Sequence, residues 1–95
     1  MSELKTVHLT SKKEIFSRIK DTDFRFRTTT LKSELFTQVE ISLLKDGDPQ
    51  NRILTLFTTV FPTVDKEQMI FVQHELQNIM KDRGSVAAWL SFFDP

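Results

Sequence analysis

The chain contains no cysteine, only two glycines and two histidines, and three prolines in 95 residues. Each shortage removes a class of chemistry. Without cysteine there are no disulfides, thiolate metal sites or cysteine nucleophiles, and a secreted domain this short usually depends on disulfides. An Asn-x-Ser/Thr acceptor is also missing, so a cytoplasmic protein is expected. Glycines at 47 and 84 alone cannot build a glycine-rich phosphate cradle. The histidines, His8 and His74, are far apart and match no ligand spacing, so both read as surface residues and no metal or cofactor is expected. No apolar run approaches the roughly 20 residues of a membrane helix, and no charged and then apolar leader opens the chain. A soluble protein that does not enter the membrane is the expectation.

Leu, Ile, Val and Phe make up about a third of the residues, well above the roughly 20% below which disorder becomes the default. At this length they fill one core, so residues 1–95 are expected to form one domain. The last ten residues, Val86-Ala87-Ala88-Trp89-Leu90-Ser91-Phe92-Phe93-Asp94-Pro95, hold the only tryptophan and two of the nine phenylalanines. Terminal segments are usually polar and frayed, so this tail must be buried by its own core, by a second copy or by another protein. Trp89, Leu90, Phe92 and Phe93 are therefore the candidate partner-binding residues, because aromatics dominate interface hot spots. Four large apolar side chains so close together cannot all face one way on one short helix.

Formal charge is zero overall but unevenly spread. Residues 1–33 carry eight Lys/Arg against four Asp/Glu, and residues 34–95 carry five against nine, so the two parts are about +4 and −4. Mutual neutralisation across the fold accounts for this plainly. A basic face for nucleic acid is the alternative, with Lys12, Lys13, Arg18, Arg25 and Arg27 as its candidates. The alternation in Phe24-Arg25-Phe26-Arg27 weakens that alternative, since two rings sharing one strand face fill a core more naturally than they stack on bases. The segment also lacks the glycines of the common RNA-recognition strand.

Periodicity sets the expected elements. Val7-His8-Leu9 alternates and suits a short strand. Ser11-Lys12-Lys13-Glu14 matches a capping box, and Ile15, Phe16 and Ile19 follow at helical spacing, which predicts a short helix ended by Asp21-Thr22-Asp23. From Phe24 through Thr30 the period is two. A second strand is predicted over Glu34–Leu44, with Leu35, Val39, Ile41 and Leu43 on one face and Gln38, Glu40 and Ser42 on the other. Asp46-Gly47-Asp48-Pro49-Gln50-Asn51 is turn chemistry leading to a third strand, Arg52–Phe61, with Ile53, Phe57 and Phe61 on one face and Leu54, Leu56 and Val60 on the other. Asp65 reads as the N-cap of a long helix, stapled by Val64 and Met69. That helix buries Met69, Val72, Leu76, Ile79 and Met80 and closes on a left-handed Gly84. Ser85 would cap a last short helix carrying Val86, Trp89, Leu90 and Phe93.

The fold class expected is thus α+β: an N-terminal helix, a three-stranded antiparallel meander, and a long helix followed by a short apolar tail helix. Asp46-Gly47-Asp48 with Asn51 resembles part of a calcium loop, but the glycine is misplaced and the bidentate glutamate is absent. No serine sits on a nucleophile elbow, and no carboxylate pair has an interpretable spacing. The function expected is a non-enzymatic protein-binding module, such as a small regulator or inhibitor, that self-associates as a homodimer through its C-terminal tail, with the open sheet face as a second candidate surface. A nucleic-acid binder stands second, and an enzyme with a composite site third.

Overall fold

The computed structural model describes residues 9–82 and 84–94. Four strands, β1 (Ser11–Arg18), β2 (Phe24–Lys32), β3 (Phe36–Lys45) and β4 (Ile53–Pro62), form one antiparallel sheet in the order β1-β2-β3-β4. A long helix, α1 (Lys66–Lys81), and a short one, α2 (Val86–Ser91), follow. The α+β class stands. The N-terminal helix and the three-stranded sheet do not: Ser11–Arg18 is a fourth strand, paired with β2 over its whole length from Ser11 opposite Lys32 to Arg18 opposite Arg25.

The reason is energetic scale. A capping box contributes about 1 kcal/mol, and an isolated helix shorter than about 12 residues is marginal in water. The same residues alternate Lys13, Ile15 and Ser17 with Lys12, Glu14, Phe16 and Arg18, so a strand gives every backbone group on one edge a partner in β2. The expected strand around Val7 and His8 lies outside the described residues, and Leu9 belongs to no strand. A tight turn joins β1 to β2: Asp21 is left-handed, the Thr22 hydroxyl donates to the Ile19 carbonyl at 2.8 Å, and its oxygen accepts the Phe24 N–H at 3.1 Å.

Strand β3 is the spine of the core. Val39, Ile41 and Leu43 are buried on one sheet face together with Phe26, Phe61 and, from α1, Val72 and Leu76. On β4 the expected alternation is broken by a bulge. Phe57 lies opposite Ile41, Thr55 opposite Ser42 and Leu54 opposite Leu43, which leaves Leu56 as the extra residue. Leu54 therefore joins Phe57 and Phe61 on the core face, and Ile53 is left exposed on the other.

Asp65 caps α1 as expected, its Oδ1 accepting the Gln68 N–H at 3.0 Å. The staple does not form, because Val64 is almost fully exposed. Nor does a left-handed Gly84 end the helix: among the described residues φ is positive only at Asp21, Gly47 and Asn51. Asp82 ends it instead, with a carboxylate that accepts the Gly84 and Ser85 N–H groups at 3.0 and 3.2 Å and the Ser85 hydroxyl at 2.7 Å. Among the described residues no helix is long and apolar enough to cross a membrane.

The layers are unequal. Helix α1 covers part of one sheet face and nothing described covers the other, so the molecule measures 46 × 34 × 18 Å. Its accessible surface is 7070 Å², against about 5,700 Å² for a compact protein of this mass.

Candidate functional site

The apolar tail folds back on its own chain. Phe93 is only 3% exposed and its ring meets Phe24 edge-on at 5.2 Å. Trp89 meets Phe26 edge-on at 6.1 Å, and Leu90 packs against the same core. Of the four tail candidates, only Phe92 is exposed, at 44%. Arg52 ties this tail to the β3–β4 loop. Its Nη2 donates to the Phe93 carbonyl at 2.7 Å and to Asp48 Oδ1 at 3.2 Å, while its Nε donates to Asp48 Oδ2 at 3.1 Å. The Arg52 guanidinium, followed by its main-chain N–H on the same carboxylate, lowers the Asp48 pKa to about 2. In the fragment that resembles a calcium loop, both aspartates are thus engaged, Asp48 by Arg52 and Asp46 by Arg18 and Arg25.

Four of the five basic candidates do share a face. Lys12, Arg18, Arg25 and Arg27 project from the uncovered side of β1 and β2, whereas Lys13 points to the opposite side. Most of their charge is already answered. Asp46 lies 2.9 Å from Arg18 and 3.0 Å from Arg25, and Glu14 lies 3.5 Å from Lys12. The Arg25 guanidinium also rests on the Phe16 ring, 4.8 Å from its centre. Among the described residues only Arg27, half-buried at the centre of this face, makes no ion pair there.

Between α1 and the β1–β2 half of the sheet runs an open groove of about 400 Å³. Its floor is Lys13, Ile15 and Ser17 of β1 with Thr28, Thr30 and Lys32 of β2, and its wall is Met69, Gln73, Gln77 and Met80 of α1. The groove exists because α1 leaves the end of β4 through the short Thr63–Asp65 turn and packs over the Val39–Leu43 spine, short of the outer strand. Strand β1 is exposed along all eight residues, and nothing described pairs with its outer edge. The Ile19 N–H donates to the Phe24 carbonyl at 2.9 Å. By antiparallel alternation Ser17, Ile15 and Lys13 also turn their backbone groups toward β2, which sends those of Lys12, Glu14, Phe16 and Arg18 outward.

The sequence hid this site in two ways. Reading Ser11–Arg18 as a helix removed the floor, and reading Met69 and Met80 simply as packing residues removed the wall. The available signal was Gln73 and Gln77 lying one turn apart beside the methionine stripe, which marks a helix face meeting something other than a closed core. Among the described residues no three of His, Asp and Glu come together to hold a metal ion. No known protein family, curated protein or solved structure matches the chain.

Proposed function

We propose that the chain is a protein-binding module that receives an extended segment of another polypeptide along β1. The observation that carries this reading is the coincidence of a strand edge that pairs with nothing among the described residues and a groove at its side. A segment added to β1 gains main-chain hydrogen bonds from Lys12, Glu14, Phe16 and Arg18, and every second side chain enters the groove beneath Met69 and Met80. Methionine side chains adapt to varied guests, and Gln73 and Gln77 can meet whichever polar groups a guest presents. Lys13 and Lys32 line the groove and no acidic side chain among the described residues does, so a guest that carries acidic residues among its apolar ones suits it best.

Fluorescence anisotropy with a labelled library of short peptides that alternate apolar with acidic or neutral residues tests the reading. Acidic members should bind. Glu14→Pro, which removes an outward N–H that β2 does not use, should weaken binding roughly three- to tenfold, in line with one lost hydrogen bond. Met69→Lys should weaken it further. Failure of every peptide to bind, or indifference to both substitutions, removes the proposal. Nucleic acid is the second outcome to measure on the same instrument. A salt-steep affinity for an oligonucleotide that is lost with Arg27→Ala would replace the peptide reading with the basic face.

A further inference from the structure

The opposite edge of the sheet is a different surface. Strand β4 ends the strand order, and from Ile53 to Pro62 it contains no charged residue in ten positions. Exposed edges are normally blunted by charge, proline, a bulge or a covering element, and β1 carries four charged residues in eight. On β4 the bulge lies at Leu56 and the proline at the far end. Among the described residues the stretch between them, Phe57–Phe61, has no such protection.

The direction of its backbone groups can be read from the bond that continues the ladder just beyond the ends of β4 and β3. The Thr63 N–H donates to the Leu35 carbonyl at 2.9 Å. By alternation Phe61, Thr59 and Phe57 also face β3, and Pro62, Val60 and Thr58 face outward. Pro62 has no N–H to leave unpaired there. Thr58 and Val60 do, and each also offers a carbonyl. Side chains frame this edge with apolar surface. Val60 is 60% exposed on the uncovered sheet face, beside exposed Phe36, whose register partner is Pro62. Phe71 is exposed on the flank of α1 opposite Gln73, which puts it on the side away from the groove.

From these features we infer that β4 pairs with β4 of a second copy of this chain, joining two four-stranded sheets into one continuous antiparallel sheet. A two-fold axis through Thr59 sets Thr58 against Val60 of the partner subunit, so the outward amides and carbonyls of both residues are satisfied in each chain. The same register sets Phe57 against Phe61 of the partner subunit, an aromatic cross-strand pair. A second copy is the occupant because the strand matches itself. It is uncharged, so antiparallel self-pairing opposes no like charges, and it carries no charge with which to select a foreign sequence as β1 does.

Sedimentation from low micromolar to millimolar concentration tests this, together with amide hydrogen exchange. The unaltered chain should show the mass of two chains at the upper end, and the Thr58 and Val60 amides should become protected as dimer forms. The double variant Thr58→Lys with Val60→Lys changes two exposed side chains, and should sediment as one chain with an unchanged circular dichroism spectrum. Phe92→Ala, on the exposed part of the tail, should leave the dimer intact. A monomer throughout, a dimer that leaves the Thr58 and Val60 amides unprotected, or a dimer that survives the lysine pair but dissolves with Phe92→Ala overturns the inference. If the lysine pair unfolds the chain, the amide protection of the unaltered protein decides alone. The outcome is independent of peptide binding on β1.

Discussion

At the scale of single residues, Asp48 and Arg52 carry more than their exposed neighbours. The Asp48 side chain is almost wholly buried, and Arg52 holds it with a side-chain fork and a main-chain N–H while also holding the Phe93 carbonyl. A carboxyl whose pKa falls from 3.8 to about 2 on folding stabilises the native state above its unfolded pKa, and that contribution disappears as pH drops through about 2. Melting temperature should therefore fall between pH 4 and pH 2. Asp48→Asn should melt lower at neutral pH and show a flatter profile across that acid range, which a pH series of thermal melts will check. Gly47 is the other residue whose identity is dictated locally. Its φ is +78° in open space, so Gly47→Ala should destabilise by about 1 kcal/mol through backbone strain alone. Gly84→Ala, where the backbone is ordinary and the added Cβ lies 3.4 Å from Asp82 Oδ1, should stay within about 0.5 kcal/mol. Urea denaturation of the two variants separates the cases.

At the scale of elements, the tail helix is held by the ring of Phe93 rather than by its own hydrogen bonds. Helix α2 has six residues and no side-chain cap, too short to persist in isolation. Phe93→Ala removes a buried ring that meets Phe24, Phe92 and the Arg52 guanidinium, and should cost about 3–5 kcal/mol. Phe92→Ala should cost under about 1 kcal/mol, as expected for a half-exposed side chain. Equal losses in urea denaturation would show that the tail is not anchored in this way. Elements with strong local signals were legible in the sequence: β2 by its Phe-Arg alternation, α1 by its Asp65 cap and apolar stripe, and α2 by its cluster of small and apolar residues. Strand β1 was not, because its apolar spacing fits a helix as well as a strand over so few residues. What decides between them is β2 lying alongside, a partner no local window contains. The bulge at Leu56 was hidden for a similar reason, since it exists only as a mismatch with β3. Both failures bear on function, because the groove floor and the exposed edges follow from a four-stranded sheet.

At the scale of the whole molecule, an open sheet covered on part of one face by one helix leaves unusual surface for its mass. The radius of gyration is 15.5 Å, against about 12 Å for a compact chain of this length. The one-sided layering goes with that excess, and an open sheet also keeps two strand edges that it cannot remove. The two edges differ in chemistry, one basic and grooved, the other uncharged. They lie on opposite sides of a four-stranded sheet with strands about 4.8 Å apart, so two middle strands separate them and neither occupant blocks the other. Substitutions at sites that far apart with no shared partner act independently. The Thr58→Lys, Val60→Lys chain should therefore bind an acidic extended peptide with the affinity of the unaltered chain while sedimenting as one copy. Glu14→Pro should do the converse, binding the peptide roughly three- to tenfold more weakly while keeping the mass of two. Titration and sedimentation of both variants read this directly. Loss of both properties in both variants would mean that peptide and second copy compete for one edge, and would overturn the assignment of separate roles to β1 and β4.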